Sequence, residues 1–551
     1  MNTRDYLNGK SSEGFEFFGA HKRKDKDYIF RLLAPEAKNV YLAGDFNNWE
    51  KAPLRKYSTG VFSVSIDGVK DGDRYQFFVE DKDGNLYKKL DPYSKKISLD
   101  EGVSIIYDST YKFKHKKANS KPKNIYQVHL GSLFRDREDK VKVYEDLIGH
   151  LKENHFSHIQ LMPISEYKNY KQMGYSSLGL FAFSERYGSL DDFKYFVDLI
   201  HKEKIGLIVE LDIAEFDPDF LYLDKFDGTN LYNYDYENIK HNYYGSINFD
   251  PEKNLTKSYL QSLVNYYVKE LRVDAIYFPS AENMLYWQGD INRGINEAWI
   301  DLLKNINSLI DKNKSYSLAG FNGVYEDLGV DFDLVFDSEF RKITEVFQKL
   351  PIDRASYQAY IRNLIQNENP SKIFGFSYVD SFLHEANLAM KMFSDDRKIE
   401  QLKTLFSFLM TLKSSKLIFM GDELADMRTF SIYNDFNPEE ISNKEFNAYY
   451  KDLAKIFLTT KVFSSDESEV KIFDVDGYSI YAYERSFKKE RFLVLVNFTD
   501  IDYEITSPYS LEEIINTNDL KYGGSGNING KVKKGEEIGI EDFGSAVFKI
   551  V

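Results

Sequence analysis

Apolar and polar positions change period three times along the chain. From about residue 14 to residue 110, short runs alternate with a period near two, as in Tyr28–Leu33, Val40–Ala43, Val61–Ile66 and Tyr75–Val79. Turn signals at Phe46-Asn-Asn and Asp83-Gly-Asn break these runs, and the pattern predicts a small β-sandwich over 14–111. Residues 112–123, rich in Lys, Ser, Asn and Pro, read as a linker, and residues 1–13 as a tail. From 124 to 457 apolar strands such as Ile159–Met162 and Gly206–Leu211 alternate with amphipathic helices such as Leu190–Ile200. Strand–helix units repeated over about 330 residues predict a (β/α)8 barrel with insertions rather than an open doubly wound sheet. Residues 458–551 return to short strands, with Phe492–Phe498 and Ser545–Val551 the clearest, and predict a C-terminal all-β domain. The expected fold class is therefore α/β, a TIM barrel flanked by two β-sandwiches.

Composition narrows the partners. A chain of 551 residues exceeds one core and fits about three domains. A net charge of −15 argues against a nucleic-acid backbone as ligand and leaves a neutral polymer open. No apolar run reaches the roughly 18 residues of a membrane span, and the first residues lack the apolar core of a secretory leader. With no cysteine there is neither a disulfide framework nor thiolate chemistry. A cytoplasmic protein is the expectation, with no membrane or nucleic-acid partner. No cluster shows metal-ligand spacing, and neither metal nor cofactor is expected.

Several motifs stand in a fixed order. They are Tyr41-Leu-Ala-Gly-Asp-Phe-Asn-Asn-Trp49, Leu90-Asp-Pro-Tyr93, Tyr126-Gln-Val-His-Leu-Gly-Ser132 and Leu161-Met-Pro-Ile-Ser-Glu166. Gly174-Tyr175, Arg186-Tyr-Gly188, Phe226-Asp-Gly-Thr-Asn-Leu-Tyr232 and Leu417-Ile-Phe-Met-Gly421 follow, then Asn516-Thr-Asn-Asp519 and Tyr522-Gly-Gly-Ser-Gly526. Together they resemble the glycogen branching enzymes of the α-amylase family (glycoside hydrolase family 13), from residue 14 to near the end. The resemblance implies an N-terminal carbohydrate-binding module of the type numbered 48, an amylase-type barrel and retaining transfer between α-glucan chains. Such chemistry needs a nucleophile and an acid/base about 5–5.5 Å apart, with a third carboxylate assisting, all at the C-terminal mouth of the barrel.

Residue by residue, the resemblance leaves those positions without carboxylates. Arg272-Val-Asp-Ala275 matches the family's R-x-D-A nucleophile motif when read alone. Anchoring instead on Met284-Leu-Tyr286, with Gly245-Ser-Ile-Asn-Phe249 in frame upstream, puts the nucleophile position on Pro279 and the family arginine on Tyr277. Asp274 then lies five residues back, about 16 Å along a strand, as a structural carboxylate at the barrel base. The acid/base position falls on Gly320 in Leu318-Ala-Gly-Phe-Asn322. The third falls on Val379 in Ser377-Tyr-Val-Asp380, with Tyr378 in place of a histidine. Asp380 is one position off, which on a strand turns a side chain to the opposite face.

The expectation is a branching-enzyme-like protein of glycogen metabolism that has lost turnover and that binds α-1,4-glucan or glycogen, or scaffolds an active enzyme of that metabolism. One alternative is an active branching enzyme with relocated carboxylates, Asp274 and Asp380 being the fallback pair and Glu210, Asp212, Glu215, Glu282 and Glu385 further candidates. Glu210 and Glu215 fall where the family has an Asp and a His. The plainer reading makes all of these solvated loop ends or ion-pair partners. The other alternative is a structural partner of an active paralogue that binds no sugar. Trp49, Tyr87 and Tyr175 are the expected glycan-contact residues, with Gln76 replacing a polar contact. His129 and His384 are lone histidines, expected in structural roles.

Overall fold

The computed structural model describes the chain except residues 24–26, 324, 325, 383–385, 395 and 442. The N-terminal module is antiparallel throughout. Gly19–Lys22, Tyr28–Leu33, Val61–Ile66 and Arg55–Lys56 pair in that order to form one sheet. The other sheet is built on Asn39–Gly44, Arg74–Glu80 and Val103–Ile105, with Leu86–Lys89 hairpinned onto Arg74–Glu80. That hairpin turns where Asp83-Gly-Asn predicts it. Asp81 Oδ1 accepts from the Asp83 and Asn85 amides at 2.9 Å each, and Gly84 supplies a left-handed φ of +86°.

Eight parallel strands then close a barrel in chain order. They are β1 (Asn124–Val128), β2 (His158–Leu161), β3 (Gly206–Glu210), β4 (Ala275–Phe278), β5 (Tyr316–Gly320), β6 (Leu334–Phe336), β7 (Lys372–Gly375) and β8 (Ser415–Phe419). β3, β4 and β8 are buried along their whole length, as expected of strands covered on both faces. The helix Leu190–Lys202 shows how local sequence sets an element. Ser189 Oγ accepts from the Asp192 amide at 3.1 Å while Asp192 accepts from the Ser189 amide at 2.8 Å, and the buried face carries Leu190, Phe193, Phe196, Val197 and Ile200.

The chain divides into two compact units. The first comprises Met1–Asn119, Arg137–Tyr144 and Leu161–Asp333, and so holds the N-terminal module and β3–β5. Its first residues are packed: Tyr6, in the helix Thr3–Leu7, is fully buried, and Ser258 Oγ donates to its carbonyl at 2.8 Å. Residues 112–119 form no regular element yet are tied down, with the Lys114 and His115 amides donating to Asp198 at 2.9 and 2.8 Å. The second unit comprises Ser120–Asp136, Glu145–Gln160 and Leu334–Val551. Its C-terminal part is a six-stranded sheet around Glu469–Phe473, Ile480–Phe487, Glu490–Asn497 and Ser545–Ile550, whose core includes Leu493, Leu495, Ile538 and Phe548. This sheet is bolted to the helix Lys398–Thr411, where Lys403 Nζ donates to the Thr517 carbonyl at 3.1 Å.

Leu90-Asp-Pro-Tyr93 is the joint between the N-terminal module and the barrel segments of the first unit. Tyr93 packs on Phe18 and Phe181, with ring centroids at 5.5 and 4.9 Å. Asp91, fully enclosed, accepts from Tyr75 Oη at 2.7 Å and from the Tyr93 amide at 2.9 Å. Burial pushes its carboxyl up from the ordinary 3.8 to about 6. A carboxyl that holds its proton more tightly when folded costs nothing below its unfolded pKa, and the cost grows as pH rises through the folded one. Stability is therefore expected to fall by about 3 kcal/mol between about pH 4 and 6 on account of this group. Asp91→Asn should flatten that part of the Tm–pH curve; an unchanged curve would show that Asp91 is not the group titrating.

The candidate active-site mouth of the barrel

Barrel strands all run the same way, so one end of each faces the mouth where active sites of this fold are built. Asp274 immediately precedes β4 and Pro279 immediately follows it. The two ends of Arg272-Val-Asp-Ala and Pro279 thus lie at opposite ends of one strand, with Asp274 at the base. There Asp274, 1% exposed, accepts from the Leu207 amide and from His201 Nε2 at 2.8 Å each, and from the Ala118 amide at 3.0 Å. Arg272 sits at a left-handed φ of 57°, with its guanidinium 4.4 Å from the Phe113 ring and donating to the His115 carbonyl at 2.9 Å.

At the mouth, β4 and β5 pair with Phe278 opposite Ala319, and the Ala281 amide donates to the Gly320 carbonyl at 2.8 Å. Pro279 and Gly320 are therefore neighbours. Gly320 is the last residue of β5. A Cβ placed on it would lie 1.9 Å from Tyr277 Oη and 2.7 Å from the ring carbon that bears it. The phenol of Tyr277 stands where a side chain at 320 would begin.

At the third position the strand geometry assumed from sequence does not hold. β7 ends at Gly375, and residues Tyr378–Phe382 form a helical turn. Alternation of faces therefore does not govern Asp380. Its carboxylate folds back to accept from the Ser377 amide at 2.8 Å, with Arg341 Nη1 at 3.8 Å, and burial raises its pKa. Val379 is half-buried, and the Tyr378 amide donates to Gln127 Oε1 at 2.7 Å.

The remaining acidic candidates of the first unit cluster after β3 and β4. Glu210, the last residue of β3, is buried and accepts from Tyr175 Oη at 2.5 Å. Tyr175, half-buried, is thereby engaged by a carboxylate. Burial, and then the Glu215 charge, push Asp212 well above the usual carboxylate range; burial also pushes Glu215 up. Glu282 accepts from Asn322 Nδ2 at 2.7 Å. Glu385 and His384 lie outside the described residues. His129 caps the turn Leu130–Leu133 by accepting from the Ser132 amide at 3.1 Å, and burial lowers its pKa to about 3, so the ring is neutral.

In the N-terminal module, Trp49 has a left-handed φ of 62° and is 37% exposed. Its indole N–H donates to Asp45 at 3.0 Å, and the Arg74 guanidinium holds Asp45 down at about 2. Tyr87 donates to Asp81 at 2.8 Å and meets Phe220 edge-on at 5.2 Å. Gln76 is 4% exposed and donates to the Gly102 carbonyl at 2.8 Å, an internal tie.

Other motif residues are structural. The Arg186 guanidinium pairs with Glu166, which also accepts from the Tyr167 and Glu185 amides at 3.0 and 3.1 Å. Asp227 of Phe226–Tyr232 accepts from the Glu36 amide at 3.0 Å. One feature escaped the sequence reading: a cleft of about 420 Å³ between the segments that follow β3 and β4, lined in part by Tyr234, Tyr243, Tyr244 and Trp287. Its signal was the pair of adjacent tyrosines before Gly245.

Barrel, flanking sheets and mouth define an amylase-type protein. Residues 17–94 match carbohydrate-binding module 48 (isoamylase N-terminal domain), and residues 472–549 match the alpha amylase C-terminal all-beta domain. The fold is that of a pullulanase crystallised with maltotetraose, from Anoxybacillus sp. LM18-11 (TM-score 0.76, 13% identity, all of this chain and 89% of that one). A pullulanase from Bacillus acidopullulyticus gives a TM-score of 0.75 at 15% identity, over 97% of this chain and 74% of the other.

Within that class the relatives are more specific. The chain is 28% identical to "1,4-alpha-glucan branching enzyme GlgB 2" of Clostridium perfringens (strain SM101 / Type A), over 98% of this chain and 91% of that one. It is 27% identical to "1,4-alpha-glucan branching enzyme GlgB" of Bacillus subtilis (strain 168), over 96% and 92%. Over nearly its whole length, then, the chain is similar to proteins named as 1,4-alpha-glucan branching enzymes.

Two substitutions test the geometry. Asp274→Ala removes the acceptor from a buried amide, a half-buried amide and a buried imidazole, and is expected to cost about 3–5 kcal/mol in chemical denaturation; an unchanged midpoint would refute the base-cap role. Gly320→Glu should cost about 1–3 kcal/mol through collision with Tyr277. Adding Tyr277→Ala should recover most of it, and simple additivity in the double-mutant cycle would rule out that contact.

Proposed function

We propose that this chain is an α-glucan-binding relative of the glycogen branching enzymes that does not turn its glucan over. The observation that carries the reading is the Tyr277 phenol standing against Gly320. A carboxylate side chain at 320 would have to displace the Tyr277 phenol, and Pro279 next to it offers no group that could form a glycosyl intermediate. Loss of one group alone would leave partial machinery. With nucleophile and acid/base positions both unable to ionise, the retaining route has neither of its two steps.

Glucan binding is the part of the relatives' function that this mouth can keep. Named relatives act on 1,4-α-glucan, residues 17–94 match a carbohydrate-binding module, and the Trp49 ring is partly open to solvent. In this reading the protein holds cytoplasmic glycogen chains, alone or beside an active enzyme of the same metabolism.

A second reading keeps turnover with relocated carboxylates. It is favoured by Asp212 and Glu215, both pushed by burial toward retaining a proton, Asp212 also by the charge of Glu215.

A branch-linkage assay on amylose separates the two. No new α-1,6 linkages at micromolar protein and long incubation is expected; their appearance, lost in Asp212→Asn or Glu215→Gln, would establish the second reading. Affinity electrophoresis in glycogen gels tests binding. Retardation of the wild type is expected, reduced by Trp49→Ala, and unretarded migration of the wild type would remove the glucan claim.

A further inference from the structure

Two residues beyond the Leu90-Asp-Pro-Tyr93 joint, Lys95 stands without a counter-ion. Among the described residues its ammonium makes neither a hydrogen bond nor an ion pair, and it lies 5.9 Å from the centroid of the Tyr266 ring. Its backbone is fixed, the Phe183 amide donating to the Lys95 carbonyl at 3.2 Å, and its side chain is half-buried. Burial lowers its pKa from the ordinary 10.5, as expected of an ammonium taken from water with no anion set against it.

The neighbouring charges are engaged elsewhere. Lys96 Nζ lies 2.8 Å from Glu185 and Lys194 Nζ 2.9 Å from Glu270. Asp191 accepts from Ser109 Oγ at 2.5 Å, Asp192 from the Ser189 amide at 2.8 Å, and Asp108 pairs with Lys22 at 3.1 Å.

Lys95 lines a cavity of about 310 Å³, at the low end of the range for small-molecule sites. Ser189 and Leu190 form part of the wall, where the helix Leu190–Lys202 starts, so the positive end of a helix dipole lies there. Three of the first four amides of that helix are taken. Asp191 donates to Tyr107 Oη at 2.9 Å, Asp192 to Ser189 Oγ and Phe193 to the Ser189 carbonyl at 3.1 Å each. The Leu190 amide, the one on the cavity wall, has no acceptor in its own helix.

A second polar group beside Lys95 is stranded independently. Tyr266 is 1% exposed and its hydroxyl has no hydrogen-bond partner, a state that costs free energy in a folded protein. The residue stands where the helix Asn254–Asn265 widens into a π-turn over Tyr266–Glu270, a device that recurs at functional sites. Burial, then Tyr267, Glu270 and Tyr107, raise the proton affinity of its phenolate, which sets the hydroxyl on the side that Tyr107 walls. An ammonium, a phenol and a helix-start amide can all donate, and each lacks an acceptor. A group with several anionic oxygens satisfies all three, whereas a neutral hydroxyl would leave the charge uncompensated.

We infer that this cavity is an anion site that takes a phosphate group, free or as a small phosphomonoester, with Lys95 as its cation. Trp49, Pro279 and Gly320 do not line it, and the inference stands apart from the glucan reading.

Calorimetric titration of the full-length protein at fixed ionic strength tests it, with inorganic phosphate in one arm, glucose 1-phosphate in a second and glucose as the uncharged control. Saturable binding at one site is expected in at least one phosphate arm and none with glucose. Tighter binding of glucose 1-phosphate would assign the site to an ester, and equal or tighter binding of inorganic phosphate to the free ion. Lys95→Met should weaken binding at least about tenfold and Tyr266→Phe about three- to tenfold. Without phosphate, Lys95→Met should have a Tm equal to or above that of the wild type, because it removes an unpaired, desolvated charge; lost binding is then not lost folding. No saturable binding in either phosphate arm, or affinity unchanged in both variants, would overturn the inference. So would a Tm of Lys95→Met well below the wild type, since the ammonium would then already have its partner.

Discussion

Asp274 is the point at which the barrel of this chain is tied at its base. A carboxylate enclosed in protein is stable only if its oxygens are satisfied. Here they gather the first residues of β3, the helix that precedes that strand and the segment leading into the barrel. Backbone bonds run alongside, from the Asp274 amide to the Leu207 carbonyl at 2.8 Å and from the Tyr316 amide to the Asp274 carbonyl at 2.9 Å. The residue thereby sets the relative register of β3, β4 and β5 at their starts. Once those starts are fixed, the strand length fixes what arrives at the mouth: Glu210, Pro279 and Gly320.

That constraint gives the mouth its chemistry. In a parallel barrel no residue at the base can reach the mouth, however closely its neighbours in sequence imitate a catalytic motif. The residue that does shape the mouth is Tyr277, one pleat below Pro279. Its phenol and the missing side chain of Gly320 are complementary, the phenol standing where a Cβ at 320 would lie. The same unit carries acidic groups with raised proton affinity and a turn with exposed aromatic rings.

Much of this was legible in the sequence. Period-two runs marked both flanking sheets, and alternating strand and helix patterns marked the barrel. Asp83-Gly-Asn and Ser189-x-x-Asp192 carried their local structure because turn and cap hydrogen bonds span only a few residues. The reading of Asp380 went astray for a related reason. Nothing in Ser377-Tyr-Val-Asp announces that the strand has already ended at Gly375, so alternation was applied to a helical turn. Gln76 was read from its place in the module as replacing a polar contact; its amide is held by the Gly102 carbonyl.

What the sequence alone determined, then, was architecture, kinship and the absence of ionisable groups at Pro279, Gly320 and Val379, because these depend on residue identity and on spacing along strands. Only the tertiary structure decided what stands beside Gly320 and where exposed rings converge. Tyr277 meets Gly320 across two strands 43 positions apart, and Tyr243 and Trp287 share a cleft although they come from different loops. Contacts of that kind follow from closure of the barrel, a property of all eight strands together and of none of them singly.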